Sequence, residues 1–202
     1  GLGWLPVSLA IPDEHWLTAL TPWAGGFSAL ESDDDDYLFA LWTSPDGEEW
    51  ARAALPEGVD SGRLVALGDH LYLQEFRGRG DSQEVRIRTW RTGDGQSWRH
   101  QGFLEWHLPR SVGNEWRIVV PHVVAAPDRL VMLGEVEPCC GTGGSLPLTS
   151  KIASLVAVAA VPEEVPLGGL VVWTSPDGAE WIRQSIDDLR DKIAGGWAGK
   201  MI

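Results

Sequence analysis

One phrase of nine residues is written three times in this chain of 202 residues. Its copies are Trp42, Ser44, Asp46, Gly47 and Trp50; Trp90, Thr92, Asp94, Gly95 and Trp98; and Trp173, Ser175, Asp177, Gly178 and Trp181, giving W-x-[ST]-x-D-G-x-x-W. A catalytic site is assembled once, from unlike residues brought together by the fold. A phrase kept three times is therefore architectural, and self-similarity over a few tens of residues is the mark of repeat arrays and propellers.

The chemistry of the phrase is that of a tight β-hairpin. Pro45 presets φ for the first turn position, Asp46 suits the second, and Gly47 takes the left-handed conformation, which predicts a three-residue loop with a bulge. In the second copy Gly93 replaces the proline. A loop of that length sets Ser44 opposite Glu48, Thr43 opposite Glu49 and Trp42 opposite Trp50, so the two tryptophans of each phrase are expected to brace the hairpin as a cross-strand pair. The Asp carboxylate and the Ser or Thr hydroxyl are expected to accept from loop N–H groups. Two residues beyond the second Trp stand Arg52, His100 and Arg183, placed for cation–π stacking that would lock the outer strand.

Each phrase follows another hairpin pattern. "LVALGDHLYLQ" (64–74) and "VVAAPDRLVML" (123–133) are paired apolar stretches around a turn, and "LTPWAGGFSAL" (20–30) is a looser version. Two hairpins per repeat give four antiparallel strands, the unit of a propeller blade. The expectation is an all-β partial β-propeller: blades at about 15–56, 62–103 and 116–186, with an insertion at about 134–168 carrying a short helix at 149–160. Gly1, Leu2, Gly3 and Trp4 match the second half of the phrase, and "IAGGWAGKMI" at the other end matches an opening hairpin. Residues 1–11 and 190–202 are accordingly expected to be partial blades, and the chain a fragment of a larger propeller.

At these phrases the chain resembles the Asp-box (BNR) repeat proteins, β-propellers that include sialidases and sortilin-type receptors. The family pattern is S-x-D-x-G-x-T-W; here Asp and Gly are adjacent and the phrase is one residue shorter. The resemblance implies a propeller of four-stranded blades with the box at the blade periphery, in enzymes and non-enzymes alike. A sialidase-like site would need an arginine triad, a Tyr nucleophile with its Glu and an acid/base Asp. Only Tyr37 and Tyr72 are present, and no F-R-I-P phrase accompanies them, so no catalytic residue is carried over.

Composition narrows the rest. The formal charge of −13 repels a phosphate backbone, and no basic patch offsets it, which argues against nucleic-acid partners. The longest apolar run, Ile152 to Val161, is too short to span a bilayer. Asp33, Asp34, Asp35 and Asp36 could be offered to Ca²⁺, but consecutive side chains diverge and the alternating ligands of a Ca²⁺ loop are missing, so a solvated acidic loop is the better reading. Cys139 and Cys140 are adjacent; two free thiols rank ahead of a strained vicinal disulfide, and zinc last. Arg79, Gly80, Asp81 and Ser82 read as an ordinary polar loop. Trp23, Trp106, Trp116 and Trp197 fall near strand ends, where a binding surface would be built. The five histidines form no metal-binding spacing, and no nucleophile or phosphate-loop motif appears. No cofactor is implied. The function expected is a non-catalytic, extracytoplasmic scaffold or binding module for a protein or glycan, the rival being a fragment of a sialidase-like glycoside hydrolase.

Overall fold

The computed structural model describes residues 9–35, 37–77, 84–107, 116–138 and 170–184. These form three four-stranded antiparallel sheets and, among the described residues, no helix. Sheet 1 is β1 (Trp16–Trp23), β2 (Gly26–Ser32), β3 (Leu38–Ser44) and β4 (Ala51–Ala53); sheet 2 is β5 (Arg63–Leu67), β6 (His70–Arg77), β7 (Glu84–Thr92) and β8 (Arg99–His107). Sheet 3 is β9 (Trp116–Ala126), β10 (Arg129–Pro138), β11 (Leu170–Ser175) and β12 (Ile182–Gln184). Each is a meander in chain order, closed by the tight turns at Ala24–Gly25, Gly68–Asp69 and Pro127–Asp128. The first strands lie side by side, β1 against β5 and β5 against β9, so the sheets stand as successive blades of a β-propeller.

Apolar alternation fills the two gaps between sheets. Leu30, Leu38 and Leu41 of sheet 1 meet Leu64, Leu71 and Leu73 of sheet 2, with Val59 of the connecting loop. Ile87 of sheet 2 meets Val123, Met132, Val171 and Trp173 of sheet 3. β10 runs to Pro138, past the point where the insertion was expected to begin; residues 139–169, with the expected helix, lie outside the described residues. So do the expected partial blade at 190–202 and residues 1–8.

The box turns differ from expectation in one respect that recurs in all three sheets. Trp42 stands opposite Arg52, Trp90 opposite His100 and Trp173 opposite Arg183; the second Trp of each phrase is not the cross-strand partner of the first. The cause is the carboxylate. Asp46 Oδ1 accepts the backbone N–H of Glu48 (2.8 Å) and Glu49 (3.2 Å), and Asp94 Oδ1 those of Gln96 (2.8 Å) and Ser97 (2.7 Å). Asp177 does the same for Ala179 (2.9 Å). Residues that would have continued a three-residue hairpin are drawn into an Asx-type loop, and the ladder resumes only at Ala51, Arg99 and Ile182. The Ser44, Thr92 and Ser175 hydroxyls accept from Gly47, Gly95 and Gly178, which take φ of 85°, 72° and 79°.

Released from the ladder, two of the second tryptophans fill the gaps between sheets, while the Trp50 indole N–H donates to Gly47 O (3.0 Å) in its own loop. Trp98 packs into the cluster between sheets 1 and 2, and Trp181 into the one between sheets 2 and 3, its indole N–H 3.4 Å from Thr89 Oγ1. The box glycines of sheets 2 and 3 seat against the preceding sheet. A Cβ on Gly95 would come within 2.8 Å of Thr43 Cγ2, and one on Gly178 within 2.4 Å of Thr89 Cγ2. The phrase is thus a sheet-to-sheet joint as much as a turn.

Candidate functional site

The antiparallel meander separates the molecule into two ends. The box turns follow β3, β7 and β11, so they occupy one end together with the β1–β2, β5–β6 and β9–β10 turns. The opposite end carries the starts of β1 and β3, the acidic turn between β2 and β3, and the segments joining one sheet to the next. Binding surfaces of repeat scaffolds gather where loops vary, and the variable connections here are at this second end.

At that end sheet 1 presents exposed aromatic rings. Trp16 opens β1 and is 38% exposed; Tyr37 precedes β3 at 52%; Phe39, at 43%, is the extra residue of the irregular pairing between Glu31 and Ser32 on β2 and Ala40 and Leu38 on β3. His15 stacks on Phe39, with ring centroids 4.1 Å apart and planes 16° from parallel. The acidic turn lies beside them. Asp33 Oδ1 accepts the N–H of Asp35 (3.0 Å) and of Tyr37 (2.9 Å), so this carboxylate shapes its own loop. Asp36 lies outside the described residues, and among those described no three His, Cys, Asp or Glu side chains converge to hold a metal ion.

Bonded to the His15 ring of that stack is a buried carboxylate that the sequence motifs did not reveal. Glu31 Oε1 takes His15 Nδ1 (2.8 Å) and Arg52 Nη2 (3.1 Å); Oε2 takes the Trp42 indole N–H (2.7 Å) and Arg52 Nε (2.8 Å). One side chain with no exposed surface thereby ties β2, β3, β4 and the approach to β1. The Arg52 hydrogen bond outweighs burial and, with His15 and Trp42, holds the Glu31 carboxyl down to about 2. Arg52 is raised in turn by the same contact.

Sheet 2 repeats the arrangement with one donor moved. Glu75 is fully buried, takes the Trp90 indole N–H (3.1 Å), and is paired with Arg88 from β7. Arg88 also lies 5.5 Å from the Trp90 ring centroid, while His100 meets that ring edge-on at 5.1 Å. The cation over the box tryptophan therefore comes from within β7 and not from the outer strand. An acid inside an apolar strand, as in "FSALES" and "LYLQEF", was the available sequence signal for both carboxylates.

The remaining box carboxylates are held by backbone. Asp46 lies below its usual range because of the Glu48 and Glu49 N–H groups, and Asp94 further below because of Ser97 and Gln96. Trp23, expected near a binding surface, sits at the box end and packs into the core. Trp106 lies at the loop end but meets Trp173 edge-on at 4.9 Å, which gives it a packing role. Trp197, Arg79 to Ser82, Cys139 and Cys140 lie outside the described residues, as does the Trp116 side chain. Among the described residues no helix is long and apolar enough to cross a membrane.

No protein-family model matches the chain, and no characterised protein matches it in sequence. Solved structures resemble it in fold. The GH32 β-fructofuranosidase of Bombyx mori is 16% identical over 87% of this chain and 36% of its own, with a TM-score of 0.46. The GH93 α-L-arabinofuranosidase of Fusarium graminearum is 11% identical over 85% of this chain and 49% of its own, with a TM-score of 0.48. The chain spans less than half the length of either glycoside hydrolase.

Proposed function

We propose that this chain is a non-catalytic propeller module that binds a glycan, outside the cytoplasm, at the loop end of its sheets. The observation that carries the reading is the exposure of three aromatic rings, Trp16, Tyr37 and Phe39, at the loop end of sheet 1, where the Asp33 turn also lies. Flat aromatic faces cover the apolar faces of sugar rings, and exposed carboxylates accept from sugar hydroxyls. The two buried carboxylates beside the box tryptophans serve structure: Glu31 and Glu75 are engaged by arginine and indole, which suits bracing more than proton transfer.

The test is binding to an immobilised oligosaccharide panel, with bound sugars recovered and analysed. Retention of intact sugar, weakened about tenfold or more in Trp16→Ala and Phe39→Ala, is the expected result. Recovery of cleaved sugar would establish the glycosidase reading instead. Retention unaffected by both substitutions would move the site elsewhere.

A further inference from the structure

The carboxylate clamp of sheet 1 has its two donors again in sheet 3, without the acceptor. Register fixes the correspondence. Trp42 is opposite Ala29 on β2 and Arg52 on β4, and Glu31 stands two residues beyond Ala29, on the same face. Trp173 is opposite Met132 on β10 and Arg183 on β12; two residues beyond Met132 stands Gly134, buried and opposite Val171. Trp and Arg are both retained, and the position of the acid holds a glycine.

Sheet 2 shows that the acid belongs to the repeat. Glu75 stands two residues beyond Leu73, the partner of Trp90, and takes the indole N–H although the outer strand there supplies His100. Its guanidinium comes from Arg88, and the corresponding residue of sheet 3 is Val171. Among the described residues no carboxylate is seen bonding the Trp173 indole N–H or the Arg183 guanidinium; the side chains of Glu135 and Glu137 lie outside them. Arg183 is exposed, Trp173 is buried, and the Trp106 ring lies edge-on to Trp173 at 4.9 Å.

We propose that sheet 3 binds a ligand through a carboxylate, which Arg183 and the Trp173 indole N–H hold in the place that Glu31 fills in sheet 1. Gly134 puts no side chain in the place of the acid, and Trp106, edge-on to Trp173, would be the apolar neighbour of the rest of the ligand. One guanidinium fork with one neutral N–H matches a planar monoanion. A dianionic phosphate would bring a second charge into a protein that already carries −13. A uronic acid and a peptide carboxylate share this chemistry. The site lies away from the aromatic rings of sheet 1 and stands whether or not they bind a glycan.

The test follows the indole N–H resonance of Trp173 in ¹H–¹⁵N spectra, assigned by its loss in Trp173→Phe. Sodium acetate, glucuronate and N-acetylglutamate are titrated against sodium chloride at equal ionic strength. A saturable shift with acetate but not chloride is expected, and the tighter of the other two identifies the source. In Arg183→Gln the apparent affinity should fall about tenfold. In Gly134→Glu the resonance should begin near its shifted position and cease to respond. Gly134→Ala, which narrows the space without adding charge, should weaken the response if the glutamate variant does not fold. A resonance unmoved by all three carboxylates, or moved equally in Arg183→Gln, overturns the proposal.

Discussion

Replacing Glu31 by glutamine separates the charge of the buried clamp from its shape. Both carboxylate oxygens face two donors each, so whichever way the amide turns, its NH₂ meets either the Trp42 and Arg52 Nε pair or the His15 and Arg52 Nη2 pair. A buried donor left unpaired costs about 1–3 kcal/mol. The Arg52 side chain is 51% exposed and regains water, so the expected loss at neutral pH is about 2 kcal/mol. The pH dependence is the sharper test. The carboxyl is lowered from 4.5 to about 2 in the folded chain, so between these values the unfolded chain binds the extra proton. The stabilisation is present in full above pH 4.5 and is lost as pH falls toward 2. At about 1.4 kcal/mol per unit the ceiling is about 3 kcal/mol, and screening through the half-exposed guanidinium brings it to about 1–2 kcal/mol. Urea unfolding followed by circular dichroism should give a constant gap between parent and Glu31→Gln from neutral pH to 4.5. Below 4.5 the gap should narrow by that amount. A gap that stays flat down to the lower value would show that the carboxylate contributes shape alone.

The box glycines give a graded second test. Gly47→Ala should cost about 1–2 kcal/mol for its left-handed backbone alone, since the nearest atom to an added Cβ is Phe27 Cδ2 at 3.6 Å. Gly178→Ala should cost about 1–3 kcal/mol more because it strikes Thr89 Cγ2, and Thr89→Ser, which removes that methyl and leaves Thr89 Cβ at 3.3 Å, should remove most of the excess in a urea double-mutant cycle. The joint tryptophans differ as well. Trp181 has Thr89 Oγ1 within reach, whereas the corresponding residue before the first box Trp on β3 is Leu41, and the buried Trp98 indole N–H has no partner among the described residues. Trp98→Phe should therefore be about 1 kcal/mol less destabilising than Trp181→Phe; equal urea midpoints would show that the unpaired donor carries no penalty.

What could be read from the chain divides along a physical line. The phrase W-x-[ST]-x-D-G-x-x-W was legible because turn chemistry acts between near neighbours, and its recurrence implied four-stranded sheets in series. The pairing of its tryptophans was misread because a hairpin was counted from Pro-Asp-Gly alone. The side chain of Asp46 captures two further N–H groups and lengthens the loop to six residues, 45–50. The clamps escaped notice for a different reason. Glu31 and Trp42 are 11 residues apart and Glu75 and Trp90 are 15, because the connection between second and third strands varies in length. Register makes the two pairs equivalent where spacing does not. Exposure of Trp16, Tyr37 and Phe39 is likewise a property of packing, and no periodicity distinguishes them from the buried Trp42 and Trp173.

The third sheet departs from the other two in ways that converge. Gly134 replaces the buried acid, and β10 reaches β11 only after residues 139–169. A repeat needs none of this to stand, since sheets 1 and 2 are joined by the same box contacts without it. Trp173 and Arg183 nevertheless stay opposite each other, which the architecture alone does not require, because sheet 2 is built with histidine in place of that arginine. Keeping both donors without the acceptor leaves the pair open to a carboxylate from outside the repeat. A donor pair kept where its acceptor is dropped is the local departure from the repeat that the proposed carboxylate site accounts for.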